Sequence, residues 1–174
     1  MQLFTAILEL RLIKKLFYTF VIFSFLTANS WSAGSSSSDS SSSKSDYDKA
    51  VTNINLAKKF EKKGKSDKAN KKYEKALKLL LKSNMEKPNS ADTLNYLGFT
   101  TRKLGDFSQG EEYYLEGLAI NPNHTGINEY LGELYVVTNR INLAKERLEV
   151  LKSCNCEEYN ELKEIIDGKK KSKY

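Results

Sequence analysis

The chain has 174 residues, of which 28 are Lys or Arg and 22 are Asp or Glu, so its formal net charge is +6. This length suits one domain of ordinary size, and the composition, with only two prolines, favours helices over strands. Residues 46–87 hold 13 lysines and 6 acids, whereas residues 88–168 hold 14 acids and 7 basic residues. Because nucleic-acid-binding domains are basic throughout their binding face, this division argues against a nucleic-acid partner.

The first thirty residues have the layout of a secretory signal peptide. Two lysines precede an apolar run over residues 16–26, and the small residues Ala28 and Ser30 follow it. Cleavage after Ser30 fits this order. The run is shorter than the ~20 residues of a membrane-spanning helix, and an uncleaved anchor is the alternative. The sequence therefore predicts a signal peptide over residues 1–30 and a periplasmic or secreted protein, or else one anchored in the membrane and facing the periplasm.

Two low-complexity segments flank the part of the chain that can fold. Residues 31–46 are dominated by serine and predict a flexible linker, because serine cannot bury apolar surface. Residues 168–174 contain four lysines and predict a basic, disordered tail. The folded domain is therefore expected over residues 47–167.

A 34-residue spacing relates two segments in the second half of the chain. Under this shift Leu97-Gly98 aligns with Leu131-Gly132, and Gly110 aligns with Ala144. Small residues at these positions allow two helices to approach closely, and Leu148 is expected to fill the seam between the second pair. The spacing therefore predicts two consecutive helix pairs.

A degenerate third copy lies upstream and begins near Ala50. The step from this copy to the next is 41 residues instead of 34. Seven extra residues equal about two helical turns. The second helix of this copy is therefore predicted to be longer, from about Ser66 to Glu86, where apolar residues keep helical spacing.

The pattern resembles the tetratricopeptide repeat, in which a large residue, Leu-Gly, Tyr, Ala, Phe, Ala and Pro recur over 34 residues. Leu97-Gly98 and Pro122 match it in one repeat, and Leu131-Gly132, Tyr135 and Ala144 match it in the next. The resemblance implies an all-α, right-handed helical-repeat solenoid of about three helix pairs. The repeats are expected at about 50–87, 91–123 and 125–156.

A short amphipathic segment follows the last repeat. Tyr159, Leu162, Ile165 and Ile166 form an apolar stripe, with charged residues on the opposite face. A terminal repeat needs a covering element with a polar outer face. We therefore expect a capping helix over residues 157–167.

In tetratricopeptide arrays the first helix of each pair lines a concave groove that binds peptides, and the resemblance implies a set of groove residues here. Exposed apolar residues in such a groove, Phe99 and the pair Val136-Val137, would favour partner binding. The charged members could equally be ordinary solvated helix positions. The candidate peptide-binding residues are Asp92, Asn95, Phe99, Arg102, Lys103, Glu129, Glu133, Val136 and Val137.

The only two cysteines, Cys154 and Cys156, lie just before the predicted capping helix. An exported protein meets an oxidising compartment, which favours a disulfide between them. Two unpaired or intermolecularly bonded thiols, and a redox or soft-metal site, are the alternatives. No histidine or methionine lies beside them in the sequence, which makes a metal site the weakest of the three.

Little in the sequence indicates an enzyme. The single histidine, His124, is expected to be a polar residue at a helix start, and the phosphate-binding, dinucleotide-binding and zinc-protease motifs are absent. We therefore expect a non-enzymatic adaptor or scaffold without cofactor or metal, binding a protein or peptide. The alternative is a thiol-dependent redox or metal-handling protein that uses Cys154 and Cys156. The uneven charge also predicts weak head-to-tail self-association, and membrane contact is expected only through an uncleaved leader.

Overall fold

Seven α-helices and no strands make up residues 44–172, the part of the chain that the computed structural model describes. The helices are α1 (Asp46–Glu61), α2 (Ser66–Glu86), α3 (Ala91–Lys103), α4 (Phe107–Ile120), α5 (Thr125–Val137), α6 (Ile141–Leu151) and α7 (Glu157–Ile166). Helices α1–α2, α3–α4 and α5–α6 form antiparallel pairs, and α7 packs against α5 and α6. The predicted all-α repeat with three pairs and a capping helix is confirmed.

The predicted leader, and all but the last residues of the predicted linker, lie outside the described residues. Helix α1 begins at Asp46, the last residue of the predicted linker, because Ser45 caps it: the backbone N–H of Asp48 donates to Ser45 Oγ, and the Asp48 carboxylate accepts from the Ser45 backbone. Within residues 44–172 no helix has the length and apolar character needed to cross a bilayer.

The turns inside the three pairs keep the register read from the sequence. Each contains a residue with positive φ at the equivalent place, Gly64 (66°), Gly105 (97°) and Asn139 (59°). Glycine and asparagine are the residues that adopt this left-handed conformation most readily, and they end helices for that reason. The steps between the three turns are therefore 41 and then 34 residues, as the repeat predicts.

The seven extra residues of the 41-residue step lie in α2. This helix has 21 residues, against 14 in α4, the equivalent helix of the next pair. Its buried residues Ala69, Tyr73, Ala76 and Leu80 recur every three or four positions and face α1 and α3. The predicted bounds of the longer helix, Ser66 to Glu86, agree with those observed.

The close approach of α3 and α4 depends on Gly98. A Cβ atom at this position would lie 2.5 Å from Cε1 of Tyr114, whose side chain is fully buried. Gly110 on α4 faces the same helix, where a Cβ would lie 3.1 Å from the Gly98 carbonyl oxygen. The two glycines therefore let a tyrosine ring occupy the seam between the helices.

The equivalent glycine of the last pair has a different neighbour from the one expected. A Cβ at Gly132 would lie 2.5 Å from Cδ2 of Leu162, a fully buried residue of the capping helix α7. Leu148 of α6, which the repeat places in the seam, is only half-buried. The expectation for Leu148 is therefore wrong, because α7 packs on α5 and supplies the side chain that meets Gly132.

Replacing Gly132 with leucine is expected to destabilise the domain. The new side chain overlaps Leu162, and overpacking of this kind costs ~1–3 kcal/mol, offset in part by up to ~1 kcal/mol from the better helix propensity of leucine. The measurement is a thermal melt followed by circular dichroism. Ala119→Leu on the exposed face of α4 is the control and should leave the midpoint almost unchanged. An unchanged midpoint for Gly132→Leu would contradict the contact.

Candidate peptide-binding surface

Helices α1, α3 and α5 are the first members of their pairs, and α3 contacts both α1 and α5. We call the surface where their side chains meet the inner face. It is defined by Lys58, Glu61, Phe99, Arg102, Lys103, Glu129, Tyr130 and Glu133. Most of the predicted groove residues belong to it.

Phe99 is at the centre of the inner face, but it is not exposed. Only 1% of its surface is accessible, because its ring packs 5.1 Å from the Tyr130 ring and 6.0 Å from the Tyr73 ring, centroid to centroid. The Lys58 ammonium lies 4.5 Å from the Phe99 centroid, in cation–π geometry. The prediction that Phe99 offers an exposed apolar contact is therefore wrong: aromatic side chains from α2 and α5 and a lysine from α1 enclose it.

Arg102 and Glu133 form a fully buried ion pair between two repeats. The Arg102 Nη2 atom lies 3.2 Å from Glu133 Oε2, and neither side chain is accessible to solvent. Arg102 Nη1 donates to the backbone carbonyl of Tyr130. These two residues, predicted as groove charges, instead link α3 to α5, because the long guanidinium side chain reaches the next repeat.

Lys103 makes the corresponding link between α3 and α1. Its ammonium lies 2.6 Å from a Glu61 carboxylate oxygen and 5.7 Å from the Tyr73 ring centroid. The Tyr73 hydroxyl donates to the other Glu61 oxygen at 2.9 Å. Burial, with this hydrogen bond as a second cause, raises the pKa of Tyr73, so the phenol stays a neutral donor. Charged and aromatic groups therefore connect all three pairs.

The remaining predicted residues differ in how exposed they are. Asp92 is exposed, and its Oδ1 lies 3.0 Å from Nε2 of His124. His124 Nδ1 accepts from the backbone N–H of Ile127 and so caps α5, which places the ring proton on Nε2, facing Asp92. Asn95 is 8% exposed. Val136 is half-buried and Val137 is exposed, so this pair offers one exposed side chain instead of two.

The capping helix adds acidic residues that the repeat register does not include. Glu161 of α7 brings a carboxylate oxygen within 4.8 Å of carboxylate oxygens of Glu129 and Glu133. A cavity of about 160 Å³ beside them is lined by Glu129, Glu157, Glu158 and Glu161. We call these five glutamates the acidic patch. The sequence showed that α7 carries acids on the side opposite its apolar stripe. It gave no sign that these acids lie close to α5.

The acidic patch is partly neutralised by basic groups of the same chain. Arg102 pairs with Glu133, and the Lys170 ammonium lies 2.9 Å from Glu161 Oε1. Three carboxylates could hold a divalent cation. Here the Arg102 guanidinium and the Lys170 ammonium already contact two of these carboxylates. The patch therefore suits the cationic side chains of a peptide.

Part of the C-terminal tail is ordered against the acidic patch. Besides the Lys170 contact, Ser172 Oγ donates to Glu133 Oε2 at 3.1 Å. Composition predicts disorder over residues 168–174 and gives no sign of the contacts that Lys170 and Ser172 make here. The physical reason for these contacts is the charge of the tail, which is opposite to that of the patch it meets. Residues 173–174 lie outside the described residues.

Cys154 and Cys156 are joined by a disulfide in the turn between α6 and α7. Their Cα atoms are 5.2 Å apart, Asn155 between them has a positive φ of 50°, and Cys156 is the N-cap residue of α7. The bond therefore closes the turn that leads into the capping helix.

We expect no free thiols in native protein isolated from an oxidising compartment. Replacing both cysteines with serine should lower the free energy of unfolding by ~1–2 kcal/mol, since the bond closes a very short loop, and should leave partner binding intact. Thiol titration of the native protein and denaturant melts of the double variant are the measurements. Two free thiols would contradict the structural disulfide. A double variant that keeps its stability but loses partner binding would favour the thiol-dependent alternative.

Comparison with known proteins gives evidence on the fold alone. No family model and no curated protein matches the chain. Among solved structures, the first TPR of Spaghetti (RPAP3), bound to the HSP90 peptide SRMEEVD, is 22% identical, with 70% of this chain and 94% of that one covered at a TM-score of 0.50. The Yersinia enterocolitica type III secretion translocator chaperone SycD is 18% identical, with 70% and 89% covered, also at 0.50. The fold is therefore tetratricopeptide-like.

Proposed function

We propose that this chain, a tetratricopeptide-like helical repeat, is an exported adaptor or scaffold whose inner face binds an extended segment of a partner protein. The chemistry of the inner face carries the proposal. Four side chains from α1, α3 and α5 keep part of their surface accessible there: Lys58, Glu61, Lys103 and Tyr130. The buried Phe99, Arg102 and Glu133 pack among them and do not reach a partner directly. Aromatic side chains such as Tyr130 are enriched in protein–protein interfaces.

The contacts across repeats support the same proposal. Lys58 over Phe99, Arg102 with Glu133 and Lys103 with Glu61 hold the inner-face groups in fixed positions. A surface whose side chains are held in place loses less conformational entropy when a partner binds. The solved TPR domain with a bound HSP90 peptide supports peptide binding by this fold.

The test is recovery of a partner from cells of the native host. An affinity tag inserted within the serine-rich segment 34–43 stays on the protein whether or not the leader is removed. We expect Lys58→Ala, which removes the ammonium over the Phe99 ring without adding a negative charge, to weaken partner recovery. Lys59→Ala, at an exposed neighbouring position on the same helix with the same charge change, is the matched control. Equal recovery by both variants would place the binding surface elsewhere.

Export is part of the proposal and is supported by the leader's order of charge, apolar run and small residues. Intact-mass measurement of the protein recovered from the periplasm or medium is the test. A mass lacking about thirty N-terminal residues supports cleavage, whereas an uncleaved, membrane-bound form supports an anchored protein facing the periplasm. Protein confined to the cytosol would contradict export.

A further inference from the structure

After α7 the chain does not extend into solvent, because the backbone reverses direction at Gly168. This residue has a φ of 71°, and the backbone N–H groups of Lys169 and Lys170 both donate to the Glu164 carbonyl, at 2.8 and 3.2 Å. The Asp167 carboxylate lies 3.2 Å from the Lys169 ammonium and fastens the same turn. The tail is therefore directed back along α7.

Beyond this turn the tail reaches the acidic patch. Lys170 contacts Glu161 on α7 at 2.9 Å, and Ser172 contacts the fully buried Glu133 on α5 at 3.1 Å. Glu133 also pairs with Arg102 of the preceding repeat. A short stretch of tail thus connects the capping helix to the interior of the inner face.

Charge explains why this tail and this surface meet. Residues 169–174 carry four lysines and no acid, whereas the acidic patch carries five glutamates. The 160 Å³ cavity at this patch is lined by glutamates alone. Opposite charges of this kind select a partner and raise its association rate.

The contacts of the tail are few and polar. Lys170 and Glu161 are 38% and 18% exposed, and ion pairs with such access to solvent are individually weak. A ligand with more cationic contacts could therefore displace the tail without unfolding the domain.

We propose that the acidic patch is a binding site for an extended, lysine-bearing peptide, and that the chain's own tail occupies it, through Lys170 and Ser172, as an intramolecular competitor. The inference rests on the proposed binding function of the inner face and names its partner chemistry and its regulation. The partner presents several lysines in an extended segment and binds when the tail leaves. Because the tail is tethered, its effective concentration at the site is in the millimolar range, so it competes with a free peptide of similar sequence.

The first experiment measures the site without the partner. The probe is a fluorescent synthetic peptide, Lys-Lys-Lys-Ser-Lys-Tyr, identical to residues 169–174, and its binding is followed by anisotropy. A chain that ends at Gly168 should bind it at least tenfold more tightly than the full chain. In the shortened chain, Glu161→Lys should abolish binding. Glu164→Lys, an exposed position on the same helix, should change it much less.

A second pair of variants keeps the tail and removes only its contact. In the full chain, Lys170→Glu should release the tail and increase peptide binding toward that of the shortened chain. Lys171→Glu makes the same charge change at an exposed position and should have a smaller effect. Equal peptide binding by the full and shortened chains, or indifference to Glu161→Lys, would overturn the proposal.

The two proposals can fail separately. If the shortened chain binds the peptide but no cellular partner is recovered, the tail site stands and the adaptor function fails. If a partner is recovered equally by the full and shortened chains, the adaptor function stands and the competition fails. Sedimentation distinguishes a docked tail within one molecule from exchange between molecules: a dimer that becomes a monomer when the tail is removed would overturn the intramolecular contact and support head-to-tail association.

Discussion

Replacing Arg102 with methionine is expected to lower the free energy of unfolding by about 3–5 kcal/mol. Methionine has a similar length, so the change removes the guanidinium more than it removes volume. Glu133 then keeps a fully buried carboxylate that has lost the guanidinium with which it pairs. Removing one member of a buried ion pair leaves an uncompensated charge in a medium of low dielectric constant, and losses of this size are typical. Urea titration followed by circular dichroism measures the change.

Two controls separate burial from ion pairing as such. In the double variant Arg102→Met with Glu133→Leu, both charges are gone, and we expect much of the lost stability to return. Arg140→Met removes an ion pair with shorter distances, 2.7 and 2.8 Å to Glu111. The Arg140 side chain is 36% exposed, however, and its loss should cost only about 1 kcal/mol. If Arg140→Met costs more than Arg102→Met, burial does not decide the effect.

Replacing Tyr114 with alanine is expected to lower the free energy of unfolding by about 3–5 kcal/mol. The Tyr114 ring is fully buried between α3 and α4, and it fills the space that Gly98 leaves open. Removal of a large aromatic side chain from such a position leaves a cavity as well as losing the transfer free energy of the ring. Denaturant melts give the change in midpoint, and an unaltered slope would show that the native state remains compact.

The matched control is Tyr114→Phe. The Tyr114 hydroxyl has no hydrogen-bond partner among residues 44–172, and burial raises its pKa, so it remains a neutral hydroxyl out of water. Removing an unpaired buried hydroxyl relieves its desolvation cost. Phenylalanine should therefore equal the native residue or stabilise the fold slightly. A loss of more than about 1 kcal/mol in this variant would indicate a partner for the hydroxyl.

The order and register of the helices, and the bounds of the longest one, could be predicted from the sequence. These follow from local rules: apolar residues recur every three or four positions, and the residues at Gly64, Gly105 and Asn139 adopt the left-handed conformation that ends a helix. The longer α2 follows from the 41-residue step, and the capping helix from its apolar stripe. Each of these signals lies within a few turns of the chain, which is why one sequence is enough to read them.

Only part of the candidate peptide-binding surface could be predicted from the sequence. The register placed Phe99, Arg102 and Glu133 on the correct side of their helices, because helical spacing fixes direction. It could not show that they are buried, since burial depends on side chains one repeat away: Glu133 is 31 residues from Arg102. Periodicity describes one helix at a time and carries no information on what a neighbouring helix places over it.

The contacts between residues far apart in the sequence became visible only once the helices were packed together. Leu162, not Leu148, meets Gly132, because the capping helix packs on α5 as well as on α6. Ser172 meets Glu133 across 39 residues, and a tail whose composition predicts disorder is held by charge on a surface built from two other segments. Composition describes what a segment can do alone, whereas the contact depends on a complementary surface that exists only after the helices have packed.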